Sequence, residues 1–440
     1  MKLLQFGAGN IGRSFIGQIF SRAGWEVVFA DVDERLVKLL NEKQYYTVVI
    51  KREGRADEVR QIGPIRAVDG RDIEAAAAEL AGADIAAVSV GKNALPKVLP
   101  VIARGLAVRH AAVLESKRVK QKRNGTMFDL TETAVRPLDI IIAENDREAP
   151  ALFRSVLSTE LGPDYPLDKL AGLVETSIGK MVPIMKAADL AADPLLLFAE
   201  EYETLIVDKC AFRGPLPAIP ELHPVDPIAA YVDRKLFIHN LGHAAAAYLG
   251  FAAFLREENT GKITKENSMD ITAFTIPEAL ALPGVEENVR RAMNQAAGAL
   301  VLEYPQSQYP GGYSREDLAD HIDDLLRRFK NRALGDTVHR VGRDLRRKLA
   351  REDRIAGALL LCAKHNLPFD AIAGVYRAAL DFAAPAEDGL LFPADEEFRK
   401  MYKLDSPLNK KTTEYLIDSG TLERILCEVS GLDRRFLMPF

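Results

Sequence analysis

One stretch constrains the fold of this chain more than any other. Gly7-Ala8-Gly9-Asn10-Ile11-Gly12 follows a short apolar run ending at Phe6 and opens a helical segment, 13–23, that stops at Gly24. Gly7 permits a tight turn, Gly9 lets the backbone come close to a pyrophosphate, and Gly12 lets helix and strand pack together. The free N–H groups of the helix N-terminus then face the anion. The next apolar run, Glu26-Val27-Val28-Phe29-Ala30, ends at Asp31, 19 residues after Gly12. A carboxylate at that spacing accepts hydrogen bonds from an adenosine ribose 2′-hydroxyl and repels a 2′-phosphate, so the pattern selects NAD over NADP. A glycine turn and a loop acid can also do no more than pack a βα unit; strand, helix and acid together favour the nucleotide. Phe6, Gly7, Ala8, Gly9, Asn10, Ile11, Gly12 and Asp31 are therefore candidate cofactor residues. Ser89-Val90-Gly91 joins them, because it closes a later apolar run at the carboxyl end where ligands of parallel sheets bind.

Around this turn, apolar runs at 3–6, 26–30, 84–90, 111–114 and 138–143 alternate with helical patterns, the signature of a mostly parallel α/β sheet of Rossmann type. After about residue 185 the alternation gives way to long segments rich in Ala, Leu, Glu and Arg. The reading is thus an N-terminal Rossmann-type domain over 1–190 and a mainly α-helical domain over 191–440, with a proline-rich extended loop at 214–220. The 440 residues, 48% of them hydrophobic and 28% charged, suit such a two-domain globular protein and exclude disordered and fibrous classes. Three scattered cysteines, Cys210, Cys362 and Cys427, support neither a disulfide framework nor a thiolate zinc site. With no signal-peptide pattern and no apolar run long enough for a membrane helix, the expected location is the cytoplasm, away from any membrane.

The segment 231–255 is a nearly unbroken helical pattern, apolar or alanine on most faces, yet it carries Lys235, His239, Asn240 and His243. At 3.6 residues per turn all four share one side. Burying an ammonium or an amide costs several kcal/mol unless it has partners, so these groups should face a ligand or each other. A satisfied core network with a snorkelling lysine is the plainer alternative. The spacing of His239 and His243 is also that of a zinc helix, but Asn240 stands where the catalytic glutamate would be and no third ligand follows at a recognised spacing. No metal is expected. Lysine suits a different role, because a desolvated lysine becomes a neutral amine able to take a proton from an alcohol.

Lys235, Asn240 and His243, following Gly7-x-Gly9-x-x-Gly12, resemble the polyol-specific long-chain dehydrogenases. So do the stretches Ile206-Val207-Asp208-Lys209, Arg234-Lys235-Leu236-Phe237, Gly242-His243-Ala244 and Arg340-Val341-Gly342-Arg343. The likeness runs from residue 1 to about 375. It implies a Rossmann-type domain, a helical domain, and metal-independent hydride exchange between NAD and a secondary alcohol in the cleft between them. Carried over by motif, Lys235 is the general acid/base, Asn240 hydrogen-bonds the reacting oxygen, His243 orients the substrate, and Asn145 completes the oxyanion site. Read without the family, Asn145 is a turn residue.

Residues 327–354 hold eleven Lys and Arg against four Asp and Glu, a local excess of +7 in a chain of net charge -5. Arg340, Arg343 and Arg347, at i, i+3 and i+7, would share a helical face suited to phosphate. Equally, Arg340–Asp344 and Asp344–Lys348 have the spacing of pairs on a solvated helix. The resemblance favours the anion site, with Arg343 and Lys348 at the substrate's distal end. The expected reaction is then reversible oxidation of mannitol 1-phosphate to fructose 6-phosphate with NAD. The same chemistry on an unphosphorylated polyol or a hexuronate is the alternative, and a non-catalytic NAD-binding sensor the reading from another class. The run Lys117-Arg118-Val119-Lys120-Gln121-Lys122-Arg123 reads as a solvated loop rather than a nucleic-acid site, since no aromatics interleave it. It belongs to an insertion relative to the family at 115–137. Gly179-Lys180 replaces an expected acidic-basic pair, and the tail 385–440 matches poorly.

Overall fold

The computed structural model describes residues 1–123, 136–183, 185, 187–260, 270–404, 419–433 and 436. It divides into two compact units, Met1–Ile228 and Ala229–Phe440.

The first unit is built on a sheet of β1 (Lys2–Phe6), β2 (Glu26–Asp31), β5 (Ile65–Asp69), β6 (Ile85–Val88), β7 (Leu138–Ile142), β8 (Ala171–Ser177), β10 (Leu205–Asp208) and β11 (Leu222–Val225). Their spatial order is β11-β10-β8-β7-β6-β1-β2-β5. All neighbours run parallel except β10 against β8. A second sheet sets β3 (Tyr46–Ile50) between β4 (Glu58–Ile62) and β9 (Leu197–Ala199). The central strands read as continuous apolar runs because both faces of a parallel sheet are covered. Leu3, Val27, Phe29, Ile85 and Ile141 enter one core, and Leu4, Val28, Ala86, Ile140 and Ile142 the other. This is the Rossmann-type parallel sheet read from the alternating pattern.

Two local expectations are corrected. Residues 111–114 are not a strand, and 117–123 are not a loop: both lie in the helix Leu95–Arg123. Leu95, Leu99, Ile102 and Leu106 are fully buried at helical spacing. That periodicity outweighs the four-residue apolar run Ala111-Ala112-Val113-Leu114, too short to distinguish strand from helix. Residues 124–135 of the 115–137 insertion lie outside the described residues. The boundary expected at 190 falls in this structure after Ile228, because β9, β10 and β11 complete the sheets of the first unit.

The second unit is helical. Its central element runs over 228–259 and packs against helices Ile276–Ala281, Val285–Glu303 and Asp370–Leu380. Small residues allow the approach: a Cβ at Gly242 would sit 2.6 Å from Met293 Sδ, and one at Gly250 would overlap the Ala279 Cβ. Among the described residues no helix is long and apolar enough to cross a membrane.

Candidate active site

In the first unit the glycine turn has the construction its sequence implies. Gly7 adopts φ +88°, where a Cβ would lie 2.5 Å from the Ser89 carbonyl oxygen, and a Cβ at Gly12 would overlap the Gly7 carbonyl. A Cβ at Gly9 would meet nothing within 4 Å, so this glycine borders open space rather than packed protein. Residues Gly12–Gly17 form a π-helical turn before the α-helical Gln18–Arg22. The buried Arg13 secures the loop from behind: its Nε donates to the Ala8 carbonyl at 2.6 Å and its Nη1 to the Leu195 carbonyl at 3.1 Å. Asp31 stands at the end of β2, and its carboxylate accepts the Ala8 N–H at 2.6 Å and the Asp33 N–H at 3.0 Å. The acid and the turn are therefore adjacent, as a site for an adenosine ribose beside a pyrophosphate requires.

Ser89-Val90-Gly91 lies against the same turn, and Gln5 Nε2 donates to Ser89 Oγ at 2.9 Å. Glu144, at the end of β7, accepts the N–H groups of Val90 at 2.7 Å and Gly91 at 3.0 Å. That clasp places Asn145, the next residue, at the carboxyl edge beside the cofactor candidates. Burial raises the Glu144 carboxyl, while its two N–H donors counter the shift. In the segment 174–183, Lys180, at the basic position of the expected pair, is buried and donates to the carbonyls of Glu200 at 2.8 Å and Tyr202 at 2.7 Å. Gly179 faces the Tyr202 ring, which a Cβ would touch at 3.4 Å.

In the second unit the polar residues sit where the central element changes pitch. It is α-helical over Ile228–Arg234, π-helical over Lys235–Asn240 and α-helical again over Leu241–Asn259. The positions calculated from 3.6 residues per turn are corrected accordingly. A π turn bonds i to i+5 and fits more residues into each turn, so Asn240 comes round closer to the side that carries Lys235 than in an α-helix. Lys235 is half-buried, and desolvation followed by the charge of Arg354 lowers its ammonium from 10.5 to about 8. Gly357 places the turn that carries Arg354 against this element: a Cβ there would lie 2.6 Å from the Phe237 ring.

His239 is buried, and desolvation pushes its imidazole well below the usual range, helped by Arg328 and His243. His243 stacks on Phe329 at 4.8 Å with an 11° interplanar angle, and its Nε2 lies 3.4 Å from Asp336 Oδ2. The centroids of the two histidine rings are 6.5 Å apart, and among the described residues no three His, Cys, Asp or Glu side chains gather as a metal ion would need.

Arg340, Arg343 and Arg347 do not share a helical face. The helix Val338–Gly342 ends, Asp344 takes a left-handed φ of 72°, and Leu345–Lys348 starts anew. Asp395 holds the break by accepting the N–H groups of Asp344 at 2.9 Å and Leu345 at 2.6 Å. Arg340 pairs with Asp336 rather than Asp344, Arg347 with Asp344 and Asp353, and Arg343 lies over the Phe392 ring at 5.3 Å. Lys348 is buried, its Nζ donating to the Arg343 carbonyl. Burial, then Arg354 and Arg347, brings it down to about 7. Arg343 and Lys348 are thus together, and Arg354 is the leading charged neighbour of both Lys235 and Lys348. Tyr248 ties this segment to the central element by donating to the Gly342 carbonyl at 2.8 Å.

Sequence reasoning missed Asp336, Phe329, Glu144 and Asp395. Glu144 carried a signal, an acid at a strand end one residue before Asn145; Asp336 carried a weaker one, its i to i+4 spacing from Arg340.

A nucleotide-type glycine turn in one unit, with a partly desolvated lysine beside an asparagine and a histidine in the other, defines an oxidoreductase of the Rossmann class. The comparisons with known proteins make the assignment specific. Residues 1–120 match the mannitol dehydrogenase Rossmann domain and residues 268–420 the mannitol dehydrogenase C-terminal domain. The chain belongs to the mannitol dehydrogenase family. The mannitol-1-phosphate 5-dehydrogenase of Pseudarthrobacter chlorophenolicus is 34% identical over 88% of this chain and 87% of its own length. That of Shouchella clausii is 30% identical over 99% and 97%. In fold, the chain is similar to the mannitol 2-dehydrogenase of Pseudomonas fluorescens, solved as a ternary complex with NAD and D-mannitol, at TM-score 0.63 and 15% identity over 92% of this chain and 84% of that one. It is likewise similar to a D-sorbitol dehydrogenase, at TM-score 0.65 and 16% identity over 97% and 93%.

Proposed function

We propose that this protein is an NAD-dependent mannitol-1-phosphate 5-dehydrogenase, interconverting mannitol 1-phosphate and fructose 6-phosphate. The observation that carries the reading is Lys235, which desolvation and then the charge of Arg354 bring down to about 8, on a π turn that also carries Asn240. Bound at the glycine turn, NAD would supply the hydride acceptor for the alcohol carbon. Lys235, neutral, removes the hydroxyl proton as that hydride leaves; in the reverse direction its ammonium returns it. Asn240 and Asn145 donate amide hydrogens to the oxygen as it gains charge, which fixed dipoles stabilise better than mobile water. His243 orients the sugar chain. The turn at Gly7, Gly9 and Gly12 receives the pyrophosphate and Asp31 the ribose hydroxyls, so NADP is disfavoured. Arg343 and Lys348 take the phosphate. Lys348 suits a dianion because a group near 7 readily becomes a full ammonium when an anion approaches.

Absorbance of NADH, followed with a panel of polyols, polyol phosphates and hexuronates, tests this. Activity with mannitol 1-phosphate far above that with mannitol is expected. Equal activity on both would remove the phosphate assignment, and silence across the panel would leave a cofactor-binding protein without this chemistry.

A further inference from the structure

The geometry points to Asp336 as a positioning residue that fixes which nitrogen of His243 faces the substrate, an inference that rests on the orienting role proposed for that histidine. His243 is held on two sides. Phe329 covers one face of the ring at 4.8 Å, and Asp336 Oδ2 stands 3.4 Å from Nε2. A carboxylate in that place accepts a hydrogen, so Nε2 carries the proton and Nδ1 keeps the lone pair. Nδ1 can then accept a hydrogen bond from a substrate hydroxyl, and a ring flip would forfeit the bond to Asp336.

Asp336 is itself set up for this. Its side chain is only 10% exposed, yet it remains a carboxylate. Burial pushes it toward the neutral acid, but the hydrogen bond from His243 and the charge of Arg340, which pairs with Oδ1, hold it below the ordinary value. His239, whose ring centroid lies 6.5 Å from that of His243, is kept neutral by burial and therefore adds no competing charge. The main chain around Asp336 is anchored independently of its side chain. Ile276 N–H donates to the Asp336 carbonyl at 2.9 Å, and Val338 N–H to the Phe274 carbonyl at 2.7 Å. Replacing the carboxylate by an amide therefore leaves the segment in place.

The test is a double-mutant cycle on the full chain with mannitol 1-phosphate, using Asp336→Asn, His243→Gln and the pair. A bond to a charged acceptor predicts that Asp336→Asn lowers kcat/KM by about ten- to 150-fold, while NADH binding, measured by fluorescence, is unchanged. In the His243→Gln background the same substitution should change nothing. An equal loss in both backgrounds, or none in the wild type, overturns the proposal. Full activity of His243→Gln would instead dismiss the histidine's role itself, so the two failures are distinguishable. Should Asp336→Asn not fold, nitrogen NMR of labelled wild-type protein, with His243→Gln for assignment, reads the tautomer directly. Protonated Nε2 upholds the inference and protonated Nδ1 ends it.

Discussion

The acidity of Lys235 gives the sharpest prediction. An unperturbed lysine at 10.5 is neutral in about one molecule in 3,000 at pH 7, whereas one at about 8 is neutral in about one in eleven, so its surroundings enlarge the supply of base roughly 300-fold. In the proposed reaction, oxidation uses the neutral amine. At saturating mannitol 1-phosphate, where the bound phosphate already holds Lys348 charged, the oxidation rate should therefore rise about tenfold per pH unit from about pH 6, bend near 8 and level off above, while reduction, which uses the ammonium, should decline through the same region. Desolvation is the larger cause of the shift and Arg354 the smaller. Arg354→Gln should consequently move the bend upward and still leave it below 10.5. Stopped-flow absorbance of NADH across that range, with cofactor saturating, measures both. A flat oxidation profile, or a bend that persists in Lys235→Met, would refute the reasoning, because no other group is assigned to take this proton.

Two further substitutions probe the units separately. Gly12→Ala drives a Cβ into the Gly7 carbonyl; it should cost about 1–3 kcal/mol of stability and abolish NADH binding, read by thermal melting and fluorescence titration, and normal binding would show that the turn does not need that glycine. Lys348→Met removes a buried ammonium. It should weaken kcat/KM for mannitol 1-phosphate by about ten- to 150-fold and leave any residual rate with mannitol unchanged; equal losses on both would exclude Lys348 from phosphate recognition.

The fold was legible in the sequence where one periodicity held without competition. Apolar runs such as Leu3-Leu4-Gln5-Phe6 and Leu138-Asp139-Ile140-Ile141-Ile142 are strands because a parallel sheet covered on both faces accepts little else at its centre. The edge elements were not legible for the opposite reason. β4 reads Glu58-Val59-Arg60-Gln61-Ile62, polar at most positions because much of it faces solvent, and β9 has three residues. Pairing of β3 with both supplies the order that their own composition does not. The unit boundary follows from the same pairings, since β9 joins β3, far behind it in the chain, and β10 and β11 extend the main sheet beyond β8.

The site was legible as a set of residues and not as a geometry. Lys235, Asn240 and His243 stood out because polar groups on an apolar helix need partners, an argument about cost that holds whatever the pitch. Their arrangement depended on pitch, and no propensity in Lys235-Leu236-Phe237-Ile238-His239-Asn240 announces a π turn. The extra residue in that turn is a matter of packing. Phe237 is pressed by Gly357 on one side, and Gly242, just beyond the turn, admits Met293 on another. A π turn inside a longer helix costs hydrogen-bond quality, so it persists where surrounding contacts hold it, and these turns recur at functional sites. Here the return for that cost is alignment. In an unbroken α-helix, Asn240 would point well away from Lys235; in the π turn it comes round closer to that side, so one element would present both the proposed proton acceptor and the proposed oxyanion donor. The partners that refine the pair, Arg354 for Lys235 and Asp336 for His243, come from segments about 90 to 120 residues further on, which is why the composition of 327–354 revealed an excess of charge but not which charge serves which residue.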